Sequence, residues 1–165
     1  MTKEIINYSL IAKSYDKLHK EEQIKKLEVI KKNINILEPL LDIGCGTGIS
    51  TNYFKIKSIG IDNCKKMLDI GKKKGYKNLI YGDAENLPFK NKLFNTVISV
   101  TSFHNFNNME KALKEIIRVS KNNNIAISFL KKSSKLNEFR LLVRKYFKKF
   151  KDIEEDRDII FIIKH

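Results

Sequence analysis

The sequence predicts a doubly wound α/β fold: a sheet of six or seven strands, mostly parallel, with a C-terminal antiparallel hairpin and helices on both faces. Three observations predict it. Short β-rich runs alternate with helical apolar patterns along most of the chain. Most of those runs are apolar on both faces, as strands covered by helices on either side should be. Glycine- and acid-bearing turns directly follow the strands, where the ligands of such sheets bind.

Taken in order, Ile24, Leu27, Ile30 and Ile34 make the first helical stripe. The first strand is Leu40-Leu41-Asp42-Ile43-Gly44, preceded by Pro39 at an element boundary. The second is Ser58–Asp62, followed by a short helical pattern on Met67, Leu68 and Ile70. Leu79-Ile80-Tyr81 and Thr96–Val100 are the next two strands. Met109, Ala112, Leu113, Ile116 and Ile117 repeat at helical spacing ahead of a fifth strand at Ile125–Leu130. Leu136, Phe139, Val143 and Tyr146 give a last helix with a basic face, extending over Leu136–Lys149. Tyr146–Phe150 and Ile159–Ile163 flank the charged turn Glu154–Asp158 and read as the final hairpin.

Length and composition narrow the class. A chain of 165 residues fits one domain of ~100–200 residues. We divide it into an N-terminal lid and helix (1–36), a ligand-binding core (37–130) and a helix plus hairpin (131–165). No apolar run approaches the ~18 residues of a transmembrane helix, and residues 1–7 have no signal-peptide pattern. Cys45 and Cys64 cannot make a disulfide framework or a structural zinc site, so no metal is expected and a cytoplasmic protein is. The formal net charge of +14 comes from 29 Lys and only 4 Arg. Bidentate phosphate and base contacts favour Arg, so the total is weak evidence for nucleic-acid binding. The charge is concentrated in residues 131–151, with nine basic residues against Glu138, and in 65–77, with six Lys against Asp69.

The first strand runs into Asp42-Ile43-Gly44-Cys45-Gly46-Thr47-Gly48 and a helix start. Glycines let the backbone turn sharply and let a ligand come close. Twenty residues after Asp42, Asp62 ends the second strand, placed to accept hydrogen bonds from a ribose diol. A dinucleotide fingerprint needs G-x-G-x-x-G, and Ile49 stands where its third glycine would be. A nucleoside carrying a small charged group fits better than a pyrophosphate, with the Asp42 carboxylate available to an ammonium group.

These residues resemble a known set. Leu41–Gly48 is similar to motif I of the class I S-adenosylmethionine-dependent methyltransferases. Gly60-Ile61-Asp62-Asn63 through Met67-Leu68 resembles their acidic second motif. Tyr81-Gly82-Asp83-Ala84-Glu85-Asn86-Leu87-Pro88-Phe89 resembles the third motif of the ubiquinone/menaquinone-biosynthesis-like (type 11) branch. Phe94–Ser99 and Leu113–Val119 look like the fourth strand and the helix before the fifth. The joint match covers about residues 40–130 and implies a Rossmann-like sheet, S-adenosyl-L-methionine as cofactor and methyl transfer as the reaction. It implies that Gly44, Gly46 and Gly48, with Cys45 inside the loop, pack on the methionine part. Asp42 would organise the loop near the amino group. Asp62 would take the ribose hydroxyls, with Asn63 and Met67 beside ribose and adenine. Asp83 and Ala84 would read the adenine edge, and Val100 would end the fourth strand at the cofactor. Asp62 and Asp83 can equally be loop or N-cap residues.

The acceptor is less legible. The segment Val100–Asn107 should face the transferred methyl. It lacks the Asn-Pro-Pro-Tyr pattern of amide or base methylation. His104 is a candidate general base, or a ring packed against Phe103 and Phe106, or one that shapes the cofactor pocket. Ile11–Asp16 resembles the family's lid segment, ahead of the first helix, which makes Tyr15 a candidate wall of the active site; a mobile arm is the alternative. Lys131 and Lys132, at the end of the fifth strand, could touch a phosphate-bearing substrate. A core that uses nearly everything after residue 36 leaves substrate selection to the N-terminal lid or to a second chain. The third strand is expected at the sheet edge, where the segment Lys77–Asp83 could pair with a strand of a small activator subunit. Three functions follow: methyl transfer to a small molecule, methyl transfer to RNA or protein with an activator subunit, and cofactor binding without catalysis.

Overall fold

The computed structural model describes residues 8–164, with side chains described from Lys17 and from His19 onward. Helix α1 (Tyr8–Asn33) leads into β1 (Leu40–Ile43), α2 (Ile49–Tyr53), β2 (Ser58–Asp62), α3 (Lys65–Lys73) and β3 (Leu79–Tyr81). Strand β4 (Thr96–Val100), a 3-10 turn (Phe103–Asn105), α4 (Met109–Val119), β5 (Ile125–Leu130), α5 (Leu136–Tyr146), β6 (Phe150–Glu155) and β7 (Asp158–Ile163) complete it. The seven strands form one sheet in the order β3-β2-β1-β4-β5-β7-β6. Strands β1 to β5 pair in parallel, and β7 is antiparallel to both β5 and β6. The predicted class, with its C-terminal antiparallel hairpin, is the one observed.

Period-two alternation sends each strand's apolar residues to two opposite cores. Leu41, Val97, Ile125 and Ile127 join the face covered by α4 and α5, through Leu113, Ile116, Phe139 and Val143. Leu40, Ile98, Ala126 and Ile160 join the other face, covered by Leu27, Ile30 and Ile34. Ring stacking of Phe129 on Phe139, with centroids 4.7 Å apart, extends the first core beneath the 3-10 turn. The chain crosses from β3 back to β4 on the other side of β1, which puts the switch point of the sheet between β1 and β4. Loops from the carboxyl ends of β1, β2 and β4 converge there.

Three boundaries differ from expectation. The segment 8–19, expected ahead of the first helix, is the beginning of α1. No Gly or Pro stands between Tyr8 and Asn33, so nothing in the backbone stops the helix. Helix α5 ends at Tyr146, three residues short of Lys149, and the hairpin starts at Phe150. The hairpin turn is Asp156-Arg157, with Glu154 and Glu155 inside β6. Strand β3, by contrast, is Leu79–Tyr81 at the sheet edge, the strand and the position expected. No helix of the described residues is long and apolar enough to cross a membrane.

Candidate active site

The loop after β1 is built around close contacts that only glycine allows. Gly44 has φ +73, and a Cβ there would lie 2.4 Å from Ser102 Cβ. The Ser102 hydroxyl donates to the Gly44 carbonyl at 2.8 Å. Thus the β4 loop rests directly on the β1 loop. Gly48, at φ 88, is the N-cap of α2.

Asp62 at the end of β2 completes the loop. Its Oδ2 accepts the Gly46 N–H at 2.8 Å, and its Oδ1 accepts the Cys64 N–H at 2.8 Å. Burial raises its pKa, and the backbone N–H groups of Gly46 and Cys64 oppose the rise. Asp42 lies deeper. It is fully buried; Oδ2 accepts from Ser50 Oγ at 2.5 Å and Thr51 Oγ1 at 2.7 Å, while Oδ1 has no partner.

Asp83 follows β3. Its Oδ1 accepts the Glu85 N–H at 2.9 Å, which closes a local turn. Glu85 Oε1 accepts the N–H of Asn108, the residue that caps α4. Arg118 pins the rest of this loop from α4. Its guanidinium donates to the carbonyls of Leu87 and Phe89, to Asn91 Oδ1 and to both Glu115 oxygens. Glu115 Oε2 in turn accepts the Leu87 N–H at 2.7 Å.

These loops enclose a cavity of about 320 Å³. Of the predicted site residues, Gly44, Gly46, Asp62, Asn63, Met67, Asp83 and Ala84 line it together. Asp42, Cys45, Gly48, Val100 and His104 are not among its lining residues. Cys45 is buried, and burial pushes its thiol pKa well up, so it is no thiolate nucleophile at neutral pH. His104 sits edge-on to Phe129 with ring centroids 5.9 Å apart, its Nδ1 buried and without a partner. Burial lowers its pKa. Tyr15 falls outside the described side chains. Lys131 is engaged by Glu154 and the Asp156 carbonyl.

The segment expected to face the methyl does reach the cavity, through Thr101, Ser102, Asn105, Phe106 and Asn107. Cys64, Gly82 and Glu85 line it as well. The first two flank predicted residues; Glu85 stood in a quoted motif, but only folding shows that it reaches the wall. The lining fits a nucleoside cofactor: two carboxylates after adjacent strands, beside a loop that meets the cavity through Gly44 and Gly46.

The methyltransferase domain model matches residues 41–128. An uncharacterized Methanocaldococcus jannaschii protein is 41% identical over 122 residues, which is 73% of this chain and 48% of that protein. A demethylmenaquinone methyltransferase of Thermotoga maritima is 36% identical over 90 residues, covering 51% of this chain and 39% of the relative. The chain thus spans half or less of the length of these relatives. Among solved structures, a SAM-dependent methyltransferase of Thermotoga maritima superposes with a TM-score of 0.76 at 21% identity, covering 96% of this chain and 98% of that one. A methyltransferase solved with the Haloferax volcanii Trm112 activator gives 0.71 at 17% identity, covering 91% and 79%. S-adenosyl-L-methionine is the cofactor these matches imply. The chain belongs to the methyltransferase-domain family.

Proposed function

We propose that this chain transfers the methyl group of S-adenosyl-L-methionine to a small-molecule acceptor. The observation that carries the reading is that Asp62 and Asp83 line one cavity with Gly44 and Gly46. When bound, the cofactor supplies a methyl group already activated on a sulfonium. The residues of this chain then have three tasks. Asp62 uses one lone pair of each oxygen on backbone N–H groups and keeps the others for a ribose diol. Asp83, with Ala84, serves the adenine edge. Gly44 and Gly46 let the methionine part approach the backbone.

The wall of Ser102, Asn105, Phe106 and Asn107 aligns the acceptor. Alignment and exclusion of water contribute much of the rate in such a displacement. That wall is neutral, with a hydroxyl, amides and the Phe106 ring, which suits a small planar or polar acceptor. The lid role of residues 1–36 belongs to the same proposal.

The exposed β3 edge favours a second reading. Tyr81 is 57% exposed at the end of a short strand with one free side. A small activator subunit adding there would go with an RNA or protein substrate.

The test is calorimetric titration with S-adenosyl-L-methionine. Asp62→Ala and Asp83→Ala are each expected to weaken binding by about a hundredfold, the loss of hydrogen bonds to a charged acceptor. Unchanged affinity in both would sink the cofactor site. Labelled cofactor incubated with cell extract then assigns the acceptor: label in the small-molecule fraction supports the first reading, label in RNA or protein the second. Cofactor binding with no transfer to any fraction would leave a binding module.

A further inference from the structure

A buried polar cluster joins four distant parts of the chain behind the cavity wall. Lys26 of α1 and Asp158 of β7 form an ion pair, Nζ to Oδ1 3.2 Å, with side chains 5% and 0% exposed. Lys26 Nζ also donates to Thr101 Oγ1 at 2.9 Å, and that hydroxyl donates to Asp158 Oδ2 at 2.8 Å. The Thr101 N–H donates to Ser128 Oγ at 2.7 Å. One turn earlier on α1, Glu22 reaches Arg157 at 3.4 Å, so the helix grips two consecutive residues of the β6–β7 hairpin.

Two features of this cluster need a reason. A buried ion pair is a poor source of stability, because desolvation offsets its attraction. Thr101 is β-branched and has φ 52, a left-handed conformation that such residues avoid. Strain of this kind persists only where the surroundings over-determine it, and it clusters at functional sites. Here Lys26, Asp158 and Ser128 hold both the hydroxyl and the amide. The left-handed residue turns the chain off β4 so that Ser102 lands on Gly44 and donates to its carbonyl. Thr101 and Ser102 both line the cavity.

We propose that Lys26 and Asp158 are positioning residues: they lock Thr101 in its left-handed conformation and so set the Ser102–Gly44 contact that shapes the glycine loop for its ligand. The inference rests on the methyltransferase reading for the identity of that ligand. It makes α1 part of the site without touching the cofactor. The order of the N-terminal helix and the shape of the glycine loop become one coupled property.

The decisive comparison is Thr101→Val against Thr101→Gly. Both delete the hydroxyl, but only glycine adopts a positive φ freely. Hydrogen exchange of the segment Gly44–Gly48 in the ligand-free protein reads the coupling directly. Calorimetric affinity for S-adenosylhomocysteine, the demethylated cofactor, reads its consequence. Thr101→Val is expected to exchange faster there and to bind about tenfold more weakly, while Thr101→Gly stays within about threefold of wild type on both readouts. A purely structural role predicts glycine to be the worse variant, since it loses more contacts. Glycine as poor as valine, or valine equal to wild type, overturns the proposal. If Thr101→Val does not fold, Lys26→Met with Asp158→Asn replaces it, since that pair removes both charges of the ion pair together; adding Thr101→Gly must then restore both readouts. A wild-type chain with no affinity for S-adenosylhomocysteine refutes the cofactor reading, and the exchange measurement still decides the positioning one.

Discussion

At Asp42 a carboxylate is completely buried, with two hydroxyl donors on one oxygen and none on the other. Burial raises its pKa from 3.8 to about 6, against the opposing pull of Ser50 and Thr51. The folded chain therefore binds this proton more tightly than the unfolded chain does. The group is neutral in its effect below pH 3.8 and increasingly destabilising as pH rises, reaching its full cost above about 6. A shift of that size corresponds to on the order of 2–3 kcal/mol. Asp42→Asn should accordingly gain stability relative to wild type by about that amount between pH 4 and pH 7, read by urea denaturation at each pH. A pH-independent difference would refute it. His104 gives a second prediction. Its lowered pKa keeps the ring neutral at pH 7, but its neighbours Asn105 and Phe106, rather than His104, line the cavity. His104→Gln should reduce labelled methyl transfer by less than about tenfold, whereas loss of a general base costs ~10²–10⁴. A hundredfold drop at unchanged cofactor affinity would make it the base. Asp62 and Asp83 were legible because acids directly after strands of a wound sheet face its ligand. The depth of Asp42 was not, because its partners Ser50 and Thr51 carry no pattern that marks them as donors to it.

The loop between β3 and β4 has only the Asp83–Asn86 bridge and the pairing of Phe94 with Ser120, so the shape of its middle depends on what α4 does to it. Arg118 and Glu115 hold it by side-chain bonds to the backbone at Leu87 and Phe89. Arg118→Ala frees two carbonyls and the Glu115 carboxylate at once. About 1–3 kcal/mol of stability should be lost, since the bonds involve a charged group that is 30% exposed. Affinity for S-adenosyl-L-methionine should fall as well, because Asp83 sits on the same loop. Thermal denaturation and calorimetry on the one variant check both, and a loss of stability with affinity intact would separate the loop from the site. The strands were readable in the sequence because burial on both faces writes a short continuous apolar run. The first turns of α1 were not, since the Ile24–Ile34 stripe stops short of them. The end of α5 was misjudged because Tyr146–Phe150 suits a helical stripe and a strand equally, and only the pairing of Phe150 with Ile163 decides it. The Lys26–Asp158 pair spans most of the chain and left no local signal at all.

Across the whole molecule, part of the basic charge lies far from the cavity. Three carboxylates, Asp62, Asp83 and Glu85, line the cavity of a chain whose net charge is +14. Lys148, Lys149 and Lys151 flank the start of β6, which lies level with the amino end of β5, at the end of the sheet away from the cavity. Part of the basic stretch seen in the sequence is internally matched. Lys145 pairs with Glu110 at 2.8 Å, Arg140 with Asp152, and Lys151 donates to Asn33. The local excess in residues 131–151 was legible in the sequence, but its placement and its partners were not, because both depend on which elements the fold brings together. Ionic strength is a variable that discriminates between the acceptor classes. A chain this basic will hold polyanions whatever its substrate, so RNA binding alone decides nothing. Turnover does decide. A reaction on RNA requires the phosphates to be held while the acceptor enters the cavity, and each phosphate contact contributes about −0.7 to the slope of log affinity against log salt for single strands. With about six contacts, methyl transfer at sub-saturating RNA would fall more than a hundredfold between 50 and 200 mM salt. Transfer to a small neutral acceptor releases no such counterions and should change by less than about twofold over the same range. Under the reading proposed above, labelled methyl incorporation measured across that range stays flat while bulk RNA binding collapses. A rate that falls in step with RNA binding assigns the acceptor to RNA.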